Sequence, residues 1–321
     1  MKKEISYLEL VLAIDEIKKK FESELSKRLC LTKVQSPLFV KVDSGLQDCL
    51  SGTEKAIGFV KDGESYEIVH SLAKWKRDAL GRYGFKVHTG LLTDMKAIRR
   101  DEIVDDIHSM YVEQWDWEKV ITHEDRCISY LKQTVRSIYS SLKATLKYMK
   151  KYSFITLELP KKVKFITSQE LEDMYPEHTP KEREELITES YGAVFIIGIG
   201  DKLKSGSPHD LRSPDYDDWS LDGDLLIYDP ALKKAIEITS MGIRVDEISI
   251  MSQLEKAHAL DRVKLPYHQK IIKKELPYTI GGGIGISRIL MLILGSSHIA
   301  EVQASHWDTK TTKLLKEKKV L

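Results

Sequence analysis

Apolar positions recur along this 321-residue chain with two periods, one helical and one alternating. Near the start, Ser6-Tyr-Leu-Glu9 reads as a capping box, and Ile14, Ile17, Phe21, Leu25 and Leu29 follow at helical spacing. That spacing predicts a first helix ending before Val34-Gln-Ser-Pro37, where proline favours extended chain. Residues 128–148 form a second long amphipathic helix, suited to packing on a sheet. Glu67-Ile-Val-His70 reads as a short strand running into a basic helical turn, and residues 108–118 as a long strand. Residues 193–197 and 225–228 are apolar enough for buried strands, with 235–239 beside them. Thr279-Ile-Gly-Gly-Gly-Ile-Gly-Ile-Ser-Arg288 sets four glycines within five positions before the apolar run 289–294, and Gly295 is placed to stop a helix there. Helices and strands do not alternate as in a doubly wound fold. The order predicts an α+β protein, an antiparallel sheet with helices on one side, in one domain spanning 1–321.

Composition narrows the setting. At 42% hydrophobic, the chain can bury a large core. A net charge of +1 implies no polyanionic partner, and the lysines at 18–20 and between 316 and 319 read as solvated helix faces or tails. Cys30, Cys49 and Cys127 are odd in number and widely spaced. They argue against a disulfide framework or zinc site and fit a reducing compartment. The longest apolar run is far too short for a membrane span and no N-terminal signal is legible. A cytoplasmic protein without membrane or nucleic-acid partners is expected.

Along the 108–118 strand, Val112, Gln114, Asp116 and Glu118 share one face, with Tyr111, Trp115 and Trp117 on the other. A solvated antiparallel strand shows the same pattern. A substrate-facing strand would use Gln114 to give and accept hydrogen bonds and Asp116 to hold an ammonium group. Asp215, Asp217 and Asp218, after Pro214, suit a turn with capping aspartates. Asp224 opens one apolar strand and Glu237 lies within another. Two such carboxylates suit Mg²⁺, which takes one or two protein ligands and completes its shell with phosphate oxygens and water. A pair of inward salt bridges would have the same sequence.

Arg288 stands just inside the start of a buried helix, where a lone guanidinium is costly, so an anion should meet it. The preceding glycines let a flat or charged group approach the backbone, although a Gly-rich turn with a structural salt bridge fits as well. Neither G-x-x-x-x-G-K-[ST] nor G-x-G-x-x-G is present. Arg99 and Arg244, taken singly, suit helix caps or surface ion pairs. With Arg288 they make three guanidiniums suited to a triphosphate and a carboxylate.

Taken in order, several segments resemble the ammonia-dependent, A-type asparagine synthetases (aspartate–ammonia ligases). They are Gln47-Asp-Cys-Leu-Ser-Gly52, His70-Ser-Leu-Ala-Lys-Trp-Lys-Arg77, the 108–118 strand, Asp215-Tyr-Asp-Asp-Trp219, Gly223-Asp224, Ser240-Met-Gly-Ile-Arg244 and the glycine segment. The last also resembles the third signature of class II aminoacyl-tRNA synthetases, whose glycines floor an adenine site and whose arginine holds ATP phosphate. The likeness covers nearly the whole chain and implies a fold similar to a class II catalytic core, assembled as a homodimer. It implies that L-aspartate, ATP and ammonia give asparagine, AMP and diphosphate through a β-aspartyl-adenylate, with Mg²⁺ as cofactor.

The resemblance also implies roles. Asp48, Arg99 and Gln114 would be catalytic, Asp48 steering and deprotonating the incoming ammonium and Arg99 bridging the reacting carboxylate and α-phosphate. Ser71, Lys76, Asp116 and Ser240 would bind the amino acid. Ser109, Val112, Asp217, Arg244, Arg288, Gly283 and Gly285 would bind ATP, with Asp224 and Glu237 on the metal. Two positions depart from the family's pattern: the connection 220–223 looks short, and Thr239 stands where serine is usual.

Two rival readings use the same scaffold. An aspartyl- or asparaginyl-tRNA synthetase would carry an added anticodon-binding domain, for which the expected layout has no room. A catalytically silent amino-acid or nucleotide sensor would not be expected to keep Asp48, Arg99, Asp224, Glu237 and Arg288 together. Glutamine-dependent synthesis is disfavoured because Lys2, not cysteine, follows Met1.

Overall fold

The structure, a computed structural model, describes residues 5–50, 54–316 and 318–321. Ser51 and Gly52 of the 47–52 motif, Met1 and Lys2, and position 317 in the basic tail lie outside the described residues. Helix α1 (Tyr7–Leu29) starts on the expected capping box: Ser6 Oγ accepts from Glu9 N at 3.2 Å, and Glu9 Oε2 accepts from Ser6 N at 2.7 Å. The chain continues through β1 (Leu31–Lys33), β2 (Phe39–Lys41), β3 (Gly58–Lys61), β4 (Glu64–Ile68), α2 (Ala73–Tyr83), β5 (Gly90–Ile98) and β6 (Tyr111–Val120). After α3 (Ile128–Met149) come β7 (Lys164–Thr167), α4 (Ser168–Met174), α5 (Pro180–Tyr191) and β8 (Ala193–Ile197). Two long strands follow, β9 (Asp217–Asp229) and β10 (Lys234–Arg244), then α6 (Ser249–Lys256), α7 (Pro266–Ile272), β11 (Thr279–Gly285), α8 (Ile286–Leu294) and α9 (Thr309–Leu314).

The main sheet runs β1-β5-β6-β11-β10-β9-β8-β7, and β2-β4-β3 form a small antiparallel sheet. Parallel pairing is confined to the edges, β1 with β5 and β7 with β8, so the interior is antiparallel as expected. Side-chain parity sorts the two faces. Leu92, Trp115, Trp117, Phe195 and Ile197 join a core with α1, α3 and α8. Their neighbours Leu91, Met95 and Ala97 pack under α2, and Val194 and Ile196 pack with Leu171 of α4 and Ile187 of α5. Helices therefore cover both faces, not one. On the second face α2 serves the β5–β6 side and α5 the β8–β10 side, which leaves the middle strands free to line a cavity.

Some local readings change. The strand expected from 108 begins at Tyr111, because Asp105 Oδ1 accepts from the backbone N–H groups of Ile107 and His108 and bends the chain there. The supposed short connection at 220–223 is the interior of β9, which starts at Asp217, and so is no loop at all. The buried ladder outweighs the turn propensity of its aspartates.

Candidate active site

Strand register builds the floor of a cavity of about 320 Å³. Across four strands, Asp116 stands opposite Gly283, Gly283 opposite Ser240 and Ser240 opposite Asp224. One step along, Glu118 faces Gly281, and one step the other way Gln114 faces Gly285. The glycines are required by these side chains. A Cβ on Gly283 would come within 2.2 Å of Gln114 Oε1, and one on Gly281 within 1.9 Å of Glu118 Oε2. The need for glycine at these strand positions is thus steric, with φ > 0 playing no part. Thr239 turns its hydroxyl to Gly283 O at 2.8 Å, which ties β10 to β11.

All the candidate residues except Asp224 line this one cavity. Lys76, 1% exposed, reaches from α2 to Asp116 Oδ1 and to Gly282 O at 3.1 Å. Burial pushes the Asp116 carboxyl up and the Lys76 ammonium down from their ordinary values, although the pair is in contact. Among the described residues, Asp116 Oδ2 is buried without a hydrogen-bond partner. It is an acceptor held in readiness for a donor.

Beneath them Arg244 is clamped. Its Nε and Nη2 donate to Glu118, at 2.9 and 2.6 Å, and its Nη1 donates to Asp217. Glu118 also accepts from Thr279 Oγ1 at 2.7 Å. Arg244 is neither a helix cap nor a surface ion pair; it is a buried counter-charge for two carboxylates. The expected phosphate contact from Arg244 would require it to exchange these partners.

Arg288 keeps more freedom. Nη1 donates to Glu237 O at 2.9 Å, Nη2 to His108 Nε2 at 2.9 Å, and the Glu237 carboxylate stands off at 3.6 Å. Helix α8 runs from Ile286 to Leu294 and is stopped by Gly295 in the left-handed region, φ 65°, as its sequence predicts. Asp224 lies just behind the cavity wall, its Oδ2 on Arg212, which does line the cavity. Asp224 Oδ1 is buried without a formed hydrogen bond, although the Ser240 hydroxyl stands near enough to favour its charged form. Burial, with Glu237 and Glu184 nearby, pushes Asp224 up to about 8 against the pull of Arg212.

At the opposite wall, Asp48 is 2% exposed. Its Oδ2 accepts from Ser71 Oγ at 2.6 Å and its Oδ1 from Leu50 N at 2.8 Å. Sequence reasoning gave no role to Arg212, Glu118 or His108. Glu118 and His108 stood inside a quoted motif, and Glu118 shared the parity of Asp116. Arg212 carried no signal, since only tertiary packing brings it to Asp224.

The fold is that of the class II aminoacyl-tRNA synthetase catalytic core. Asparaginyl-tRNA synthetase from Pyrococcus horikoshii complexed with asparaginyl-adenylate matches it with a TM-score of 0.66 at 14% identity, over 91% of this chain and 67% of that one. Aspartyl-tRNA synthetase from Entamoeba histolytica matches with a TM-score of 0.61 at 17% identity, over 94% and 58%. Sequence comparison is narrower. The aspartate-ammonia ligase family matches residues 8–319. An aspartate–ammonia ligase of Clostridium perfringens is 55% identical over 320 residues, 98% of this chain and 95% of the relative. One from Fusobacterium nucleatum is 54% identical over 315 residues, 98% and 96%. The chain belongs to the aspartate–ammonia ligase family.

Proposed function

We propose that the cavity binds L-aspartate and ATP, joins the β-carboxylate to the α-phosphate as β-aspartyl-adenylate, and passes the acyl group to ammonia. The products are L-asparagine, AMP and diphosphate. The observation that carries this reading is the buried Lys76–Asp116 pair with its open acceptor Asp116 Oδ2, a matched cation and anion for the two ends of an amino acid. The family's relatives, named aspartate–ammonia ligases, support the same chemistry.

Aspartate is held by Asp116, Lys76, Ser71 and Ser240, with Gln114 beside the reacting carboxylate. Arg99 screens the charge that builds between carboxylate and α-phosphate as the C–O–P link forms and diphosphate leaves. Adenine lies over Gly283 and Gly285, near Ser109 and Val112, and Arg288 meets phosphate. Asp48 then takes one proton from ammonium, because the cation has no lone pair. The freed nitrogen attacks the acyl carbon, AMP leaves with the C–O electron pair, and a second proton is lost as the amide forms.

Asp224 and Glu237 fit Mg²⁺: both are hard oxygen donors, and Asp224 Oδ1 is a buried oxygen still open. When bound there, the ion would draw charge from the phosphate oxygens and ease departure of diphosphate. The protein acts in the cytoplasm as a homodimer; exposed Leu8, Val11 and Leu12 on α1 offer an apolar face for a second copy.

The test is incubation with aspartate, ATP, Mg²⁺ and ammonium, followed by assay of AMP and asparagine. Equal formation of both is expected. Aminoacylation of tRNA without asparagine release would replace this reading with a tRNA synthetase's.

A further inference from the structure

Beside the main cavity lies a smaller one of about 200 Å³, lined among the described residues chiefly by His70, Arg99, Arg100, Asp101, Glu102 and Glu54. Leu50, Arg99 and Glu102 line both, so the two adjoin. The small cavity holds three carboxylates against two guanidiniums. Arg100 is turned onto Asp101, Nε to Oδ1 at 3.0 Å, and Arg99 is 3.9 Å from Glu102. The adenylation chemistry uses none of its carboxylates.

His70, 1% exposed, gives the cavity its chemical character. Its Nδ1 lies 3.2 Å from the Asp48 carbonyl oxygen, which can only accept, so Nδ1 carries a proton. In the neutral ring, Nε2 is then an acceptor, and Nε2 is buried with no hydrogen-bond partner among the described residues. An orphaned acceptor of that kind asks for a donor.

We propose that this cavity is a binding site for ammonium, the nitrogen substrate, from which the cation passes to Asp48. The inference rests on the reading of Asp48 given above. Ammonium has four N–H donors, no acceptor and one positive charge. His70 Nε2 accepts one of those hydrogen bonds and the carboxylates supply the attraction. Through Nδ1, the same ring also touches the backbone of the residue that receives the cation. The shared wall at Leu50, Arg99 and Glu102 makes the passage short.

Two variants test this, each assayed in three ways. His70→Asn keeps an amide N–H where Nδ1 donates but lacks the Nε2 acceptor; Glu102→Gln removes charge with little change of shape. The assays are aspartate-dependent ATP–diphosphate exchange without ammonium, asparagine formation against ammonium, and hydroxamate formation against hydroxylamine. Hydroxylamine is uncharged at mildly alkaline pH and needs no cation site. The KM for ammonium should rise about tenfold, as for a lost hydrogen bond to a charged group, while exchange and hydroxylamine use stay near the parent's. Equal losses with both nucleophiles would make His70 a support for Asp48 only. An unchanged KM for ammonium in folded variants would remove the cavity from the route, and Glu102→Gln decides if His70→Asn does not fold. Absence of exchange in the parent protein would instead overturn the function proposed above.

Discussion

Arg288 Nη2 lies 2.9 Å from His108 Nε2, and His108 Nδ1 lies 2.9 Å from Asp105 Oδ1. A guanidinium only donates, so His108 accepts at Nε2 and keeps its proton on Nδ1, facing Asp105. A neutral ring and the Glu237 carbonyl aim Arg288, while the Glu237 carboxylate remains 3.6 Å away. The charge is positioned without being neutralised at contact distance, which is what a phosphate requires.

Arg288→Ala should therefore cost ATP use far more than stability. A loss of about 2–5 kcal/mol in kcat/KM for ATP is expected, the usual range for removing one partner of a buried charge contact. ATP titration of aspartate-dependent AMP release measures it, with thermal unfolding as the control. Near-normal kinetics in a folded variant would assign Arg288 to its protein partners alone.

For Asp224→Asn and Glu237→Gln the expected change is in the Mg²⁺ requirement. Each replaces an anionic oxygen by a neutral amide, and the half-saturating Mg²⁺ concentration should rise about tenfold, on the order of 1.4 kcal/mol. Titration of activity against Mg²⁺ at fixed ATP decides it. Unchanged curves for both would leave Asp224 as the partner of Arg212 and Glu237 as the neighbour of Arg288.

Most of the fold was legible where period and punctuation agreed. The capping box at Ser6, the apolar run closed by Gly295 and the two-faced 111–118 strand all match what is found. The site was legible mainly through its motifs taken in order, since a lone Asp48 or Asp217 reads as a turn. What stayed hidden depends on register and on distant contacts. Parity places Glu118 beside Asp116, but only the β10–β11–β6 pairing shows that Arg244 lies against it. Asp215 is the strongest case. Its neighbours in sequence suggest a capping aspartate, yet Lys74, Arg262 and His268 converge on its Oδ2 from distant elements.

That convergence predicts a pH effect. Burial pushes the Asp215 carboxyl up, but Lys74 and His268 outweigh it and hold the group well below the ordinary carboxylate range. With the folded value depressed, its contribution to stability is present above the unfolded value of about 3.9 and is lost as pH falls below it. Asp215→Asn should cost about 3–5 kcal/mol at neutral pH, since it leaves buried cations unpaired. The gap to the parent protein should narrow by up to about 1.4 kcal/mol per pH unit below about pH 4. Urea unfolding across this range measures both; a gap independent of pH would show that Asp215 contributes by packing and not by charge.

Asp48 gives the most discriminating variant, because its surroundings tolerate an amide. Oδ1 accepts from Leu50 N, which an asparagine oxygen can continue to do. The other position faces Ser71 Oγ, which already accepts from Ala73 N and can accept from an amide N–H once its own proton rotates away. Asp48→Asn should thus fold and form β-aspartyl-adenylate at near the parent's rate. What the amide cannot do is attract ammonium or take its proton, so the second step should slow by about 10²–10⁴, the usual worth of a positioned base. A single-turnover mixture of the variant with aspartate and labelled ATP, quenched with and without ammonium, should show adenylate that forms and persists in both. Failure to form adenylate would move Asp48 into aspartate binding, and a normal asparagine yield on the parent's timescale would take it out of the reaction.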